Sequence, residues 1–70
     1  LNNQLSFSRK IISVNYDPGT ETLEISFNTG SVYVYANVPE SLYDTLKLTK
    51  NPDLFFDQKI FGQFELKKSF

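Results

Sequence analysis

Seventy residues make one domain. The chain carries neither Cys nor His, which excludes disulfides, the usual zinc ligands and the Ser–His and Cys–His catalytic pairs. Seven basic and eight acidic residues leave a net charge of -1, so the basic excess of a domain built mainly to hold nucleic-acid backbone is missing. Apolar burial must therefore do the stabilising, and seven Phe and four Tyr supply a heavy core for this length.

The first segment, residues 1–10, is polar with isolated Leu1, Leu5 and Phe7 and reads as a leader or irregular stretch. Its uncharged start predicts no signal peptide, and no apolar run approaches the roughly 18 residues of a membrane span. A chain without Met reads as a piece of a longer protein or one that has lost its start, and a cytoplasmic location is expected from the absence of Cys. The domain proper is expected over 11–66, with a tail over 67–70.

Ile11 to Tyr16 predicts the first strand, because Ile12, Val14 and Tyr16 alternate with Ile11, Ser13 and Asn15. Asp17-Pro18-Gly19-Thr20 stops it in a turn. Thr22 to Phe27 is the second strand, with Leu23, Ile25 and Phe27 on one face. After Asn28-Thr29-Gly30, Ser31 to Ala36 forms the third, where Val32, Val34 and Ala36 oppose Tyr33 and Tyr35. The hairpin admits two registers. A two-residue loop pairs Phe27 with Val32 and turns the valines to the core. A three-residue loop with Gly30 as a left-handed bulge pairs Ile25 with Tyr33 and turns the tyrosines inward, and Asn-Thr-Gly suits it better.

Pro39 opens a helix in which Leu42, Tyr43 and Leu46 form the buried stripe and Leu48 falls outside it. Asn51 caps a second, short helix with Phe56 and Ile60 on its inner face and Gly62 at its end. Phe64 and Leu66 alternate with polar neighbours and predict a short last strand. The fold class is α+β, an antiparallel three-stranded meander followed by a helix, a second short helix and a short last strand.

Tyr16-Asp17-Pro18, Leu23-x-Ile25-x-Phe27, Gly30, Tyr33-x-Tyr35, Val38-Pro39-Glu40 and Phe56-x-x-x-Ile60 together resemble the KTSC domain. That domain is named for the C-terminus of some lysyl-tRNA synthetases and also occurs as a stand-alone small bacterial protein. The resemblance covers roughly residues 8–66. It implies an α+β fold, no established activity and no cofactor, and RNA binding has been suggested for the family from its synthetase context. This chain departs from the family pattern at five positions. Asp53 and Leu54 stand where a glycine and a basic residue are common, and Asp57 stands at an asparagine. Phe61 and Gln63 stand where arginines often occur.

Three kinds of side chain are candidates for contact with a ligand or partner. Tyr33 and Tyr35 form either a base-stacking platform or core, depending on the hairpin register. Lys59 belongs to a lysine-rich second half that is also rich in carboxylates, which reads as a solvated mixed surface. Phe55 and Phe61 lie off the buried line of the second helix on opposite sides. With Leu48 they mark an apolar interface, unless Phe64, Leu66 or Phe70 folds back over them. The carboxylate pairs Glu21/Glu24 and Asp53/Asp57 come with no nucleophile or metal-ligand set. The expected function is a non-catalytic binding or accessory domain that mediates protein interaction or self-association. The alternatives are RNA binding, which the charge disfavours, and binding of a small molecule such as a nucleotide. No metal or membrane role is expected.

Overall fold

The structure, a computed structural model, describes residues 10–70. Lys10 is thus the sole described residue of the expected leader, and the rest of that segment lies outside the described residues. The elements are β1 (Ile11–Asp17), β2 (Thr22–Phe27), β3 (Val32–Ala36), α1 (Glu40–Leu48), α2 (Pro52–Lys59) and β4 (Glu65–Ser69). Every neighbouring pair of strands is antiparallel, and the sheet order is β1-β2-β3-β4. The chain therefore builds a meander, lays two helices on one of its faces, and returns to add β4 beside β3.

The β2–β3 hairpin adopts the glycine-bulge register. Ile25 pairs with Tyr33 and Leu23 with Tyr35. The amide of Phe27 donates to the Ser31 carbonyl at 2.9 Å, and Gly30, at φ +93°, donates to the Phe27 carbonyl at 3.0 Å. A left-handed residue at this point is what glycine supplies without a steric cost. Tyr33 and Tyr35 thereby share the helix-covered face with Leu23, Ile25 and Phe27.

Both edge strands carry a bulge. On β1, Ile11 pairs with Phe27 and Ser13 with Ser26, so Ile12 is an extra residue in the ladder. The shift moves Ile12 out of the alternation that the sequence suggests: it is 67% exposed, while Ile11, Val14 and Tyr16 pack on the core. On β4, Leu66 pairs with Tyr35 and Lys68 with Val34, which leaves Lys67 as the extra residue. A bulge and a lysine on an edge both discourage further strand addition. β4 also takes in Lys67, Lys68 and Ser69, which the sequence reading leaves as a tail. All five of its residues are exposed, so no apolar alternation announces it. Backbone pairing with β3 holds it, extended by a reciprocal Val32–Phe70 pair of hydrogen bonds.

The core is Leu23, Ile25, Phe27, Tyr35, Val38, Leu46, Phe56 and Ile60. Strand and helix periods meet here: alternate residues of β2 face Leu46 of α1 and the Phe56–Ile60 pair at the end of α2. Pro39 precedes the first turn of α1, and Asn51 caps α2 by accepting a hydrogen bond from the Leu54 amide at 3.2 Å. The carboxylate of Asp53 accepts from the Ile11 amide at 2.8 Å and ties the start of α2 to β1. At the other end, the Tyr16 hydroxyl donates to the Val38 carbonyl at 2.6 Å and the Val38 amide donates to the Glu21 carbonyl at 2.9 Å. Glu21, at φ +56°, takes the left-handed conformation in the β1–β2 turn, rather than Gly19.

Candidate functional site

Phe56 organises the aromatic side chains of the helix-covered face. Its ring meets Phe27 at 5.3 Å between centroids, Tyr35 at 6.0 Å and Phe61 at 5.9 Å. Tyr33 joins edge-on, 5.1 Å from Phe27 and 6.4 Å from Tyr35. Edge-to-face packing of this kind adds about 0.5–1.5 kcal/mol per pair beyond area burial. Tyr33 and Tyr35 therefore share one cluster with Phe61, which is distant from both in the sequence, and the cluster runs from the interior to the surface.

The cluster separates the candidate residues by exposure. Tyr35 is 1% exposed and belongs to the core. A stacking platform needs an accessible ring face, and Tyr35 has none to offer. Tyr33 is half-buried against the core, and so is Phe55. Phe61, just past the end of α2, keeps 50% of its surface in solvent while its ring leans on Phe56. Lys59 is exposed in the last turn of α2. Phe64 packs against the core, but Leu66 and Phe70 stay exposed themselves, as do Leu48 and Leu54.

Asp53 is engaged by the Ile11 amide, a structural role. Among the described residues, no group of three or more Asp, Glu, His or Cys side chains is placed to hold a metal ion. Among the same residues, no helix is long and apolar enough to cross a membrane.

A second feature escaped the reading of the sequence. The rings of Tyr16 and Tyr43 stack at 5.0 Å with an interplanar angle of 16°, joining β1 to α1. The signal for it was available, because Tyr16 and Tyr43 each lie on an inward stripe. Only the register could show that the two stripes meet. Burial pushes the Tyr16 hydroxyl pKa above its ordinary value, and the nearby carboxylates of Glu21, Glu40, Asp17 and Asp44 push it further the same way.

A four-stranded antiparallel sheet with two helices on one face and an aromatic cluster at their junction defines a small α+β domain. Its likeness to known proteins is specific. The sequence pattern of the KTSC domain matches residues 7–64. The crystal structure of a KTSC domain protein from Yersinia pestis superimposes with a TM-score of 0.80 at 36% identity, over 94% of this chain and 92% of that one. The lysine–tRNA ligase of a Nostoc species is 33% identical over 58 residues, which are 83% of this chain. That of Nostoc punctiforme is 35% identical over 54 residues, or 77% of this chain. The chain spans about a tenth of the length of these two relatives. It belongs to the KTSC domain family.

Proposed function

We propose that this KTSC domain is a non-catalytic protein-docking module whose contact surface centres on Phe61. The observation that carries the reading is the position of that ring, half in solvent and seated on Phe56 of the core. A large aromatic braced from below is a rigid anchor, and such residues dominate the energetics of protein interfaces. Phe61 lies beside Gly62, where the chain turns from α2 toward β4, and the exposed Leu66 on β4 adds apolar surface. Tyr33 and Tyr35 belong to the same aromatic cluster through Phe27 and Phe56, and Phe55 and Lys59 are the further contact candidates on α2. The burial of Tyr35 and the negative net charge favour a protein partner over single-stranded RNA or a nucleotide. The relatives in which such a domain fills about a tenth of a lysine–tRNA ligase suit an accessory role beside other domains.

Phe61→Arg tests the reading, since it replaces the anchor with a charge at an exposed position. Light scattering should show the wild-type chain associating with a second copy, and the variant monomeric with an unchanged circular dichroism spectrum. A wild-type chain that is monomeric at about millimolar concentration, and that binds no neighbouring domain of a longer parent chain, overturns it.

A further inference from the structure

β4 differs from the other three strands in what holds it. β2 and β3 send side chains into the core, and the other edge strand, β1, packs Ile11, Val14 and Tyr16 against it. All five residues of β4 are exposed, and Leu66, at 46%, is the one large apolar residue among them. Its attachment is the backbone ladder with β3, continued by the reciprocal Val32–Phe70 bonds at 3.3 and 2.8 Å, and Lys67 bulges out of that ladder. Backbone bonds trade almost evenly against bonds to water, so a strand that buries no side chain is the first part of a sheet to open. The edge that β4 covers is better made for pairing than β4 is. In an antiparallel strand, alternate residues bond to opposite neighbours. Val32 bonds to Phe70 in both directions, so the backbone groups of Val32 and Val34 are turned to β4, and those of Tyr33 and Tyr35 to β2. Val32-Tyr33-Val34-Tyr35 alternates β-branched and aromatic residues, the types that pair best across strands. β4 answers this run poorly: Ser69 stands opposite Tyr33, Lys68 opposite Val34, and the register breaks between Val34 and Tyr35.

We infer that β4 is a displaceable strap, and that the β3 edge beneath it is a strand-addition site for an extended segment of a protein partner with apolar residues opposite Tyr33 and Tyr35. This edge is distinct from the Phe61 surface, and its use does not depend on that contact. Displacement exchanges one set of backbone hydrogen bonds for an equal set, so the side chains decide the outcome. An incoming valine opposite Tyr33, where β4 has Ser69, gains apolar contact that the strap does not make. While in place, the strap lowers the affinity by the fraction of time that the edge is open. It also keeps β3 from pairing indiscriminately, because β4 itself presents a bulge and lysines to solvent.

Two measurements on the full chain test this. Native-state amide exchange reads the strap: Val32 and Val34 should show protection at least about tenfold below that of Tyr33 and Tyr35 in the same strand. Global unfolding alone would give all four the same protection. The binding probe is the capped heptapeptide Lys-Thr-Val-Thr-Val-Thr-Lys, followed by amide chemical shifts. The same peptide with Pro at its central position is the counter-probe, since proline lacks the donor that a ladder needs. The first peptide should shift the amides of Val32, Val34 and Lys68, and the second should not. Lys68→Pro, which removes a donor of β4 opposite Val34, should leave the helical circular dichroism signal unchanged and tighten binding of the first peptide about tenfold. Lys68→Ala, which keeps the backbone donor, should bind as the wild type does. Equal protection along β3 overturns the strap, and so does a Lys68→Pro chain that no longer folds. Equal binding of the two peptides overturns the strand-addition site, as does a Lys68→Pro chain that binds the first no better than the wild type.

Discussion

The Asp53 carboxylate and the Ile11 amide, 42 residues apart in the chain, form a 2.8 Å hydrogen bond that fastens the first turn of α2 to the first residue of β1. This partly buried amide lies beside the bulge of an edge strand, where the register shifts. Asp53→Ala should therefore cost about 1–3 kcal/mol, from the loss of a charge-assisted bond and a partly buried donor left unsatisfied. Urea denaturation checks it. Glu65→Ala, at an exposed position on β4, is the comparison, and equal costs for the two would show that the β1 tether contributes nothing.

The two tyrosines of β3 should behave differently. Tyr35→Ala empties a site that is 1% exposed and should destabilise by about 3–5 kcal/mol. A domain of this size has on the order of 0.05–0.15 kcal/mol per residue in hand, so the loss takes a large share of its stability and should lower the melting temperature steeply. Tyr33→Ala, at a half-buried position, should cost less and still give a cooperative melt. Thermal denaturation followed by circular dichroism reads both. A Tyr35→Ala protein that melts like wild type would contradict the packing around Phe56.

Gly30 and Gly19 both sit in hairpin turns, yet their substitution should differ. A methyl group at Gly30 would meet nothing within 4 Å, so the whole cost of Gly30→Ala comes from its φ of +93°. That cost is about 1–2 kcal/mol. Gly19 is not in the left-handed region, and its added carbon would stand 3.3 Å from the flexible carboxylate of Asp17. Gly19→Ala should lie within about 0.5 kcal/mol of wild type. Denaturant midpoints of the pair give the answer, and a larger loss for Gly19→Ala would refute the assignment of the bulge.

Tyr16 makes stability depend on alkaline pH. Its folded-state pKa is raised, first by burial and then by Glu21, Glu40, Asp17 and Asp44. The unfolded chain, with an ordinary pKa of 10.0, therefore releases this proton before the folded chain does. The contribution is fully present below about pH 10 and is lost as pH rises through the folded-state value. Ionisation also removes the donor to the Val38 carbonyl. Tyr16→Phe should lower the melting temperature at neutral pH and flatten the decline above pH 10. An unaltered alkaline decline in the variant would assign it to other groups.

The hairpin shows how far local sequence reached. Asn28-Thr29-Gly30 favours the three-residue bulge turn because only Gly accepts the left-handed position without strain, and the turn then sets which residues of β3 face inward. The helix boundaries at Pro39 and Asn51, and the inward pair Phe56 and Ile60, were legible for the same reason: caps and helical spacing are properties of neighbouring residues. The ordered set of motifs from Tyr16 to Ile60 also pointed to the KTSC family.

What the sequence by itself determined was the local chemistry: turns, caps, the inward faces of β2 and α2, and the off-stripe position of Phe61, while for β3 it favoured one of two registers. Tertiary structure alone decided the rest. Ile12 leaves the core because a bulge, set by pairing with β2, adds a residue to β1. Residues 67–69 become strand because β3 offers them a free edge, not because of their own pattern. The Tyr16–Tyr43 stack and its ring of carboxylates arise where β1 meets α1, from residues up to 28 positions apart. Contacts of that kind depend on which surfaces the fold brings together, and a periodicity of 2 or 3.6 residues carries no record of it.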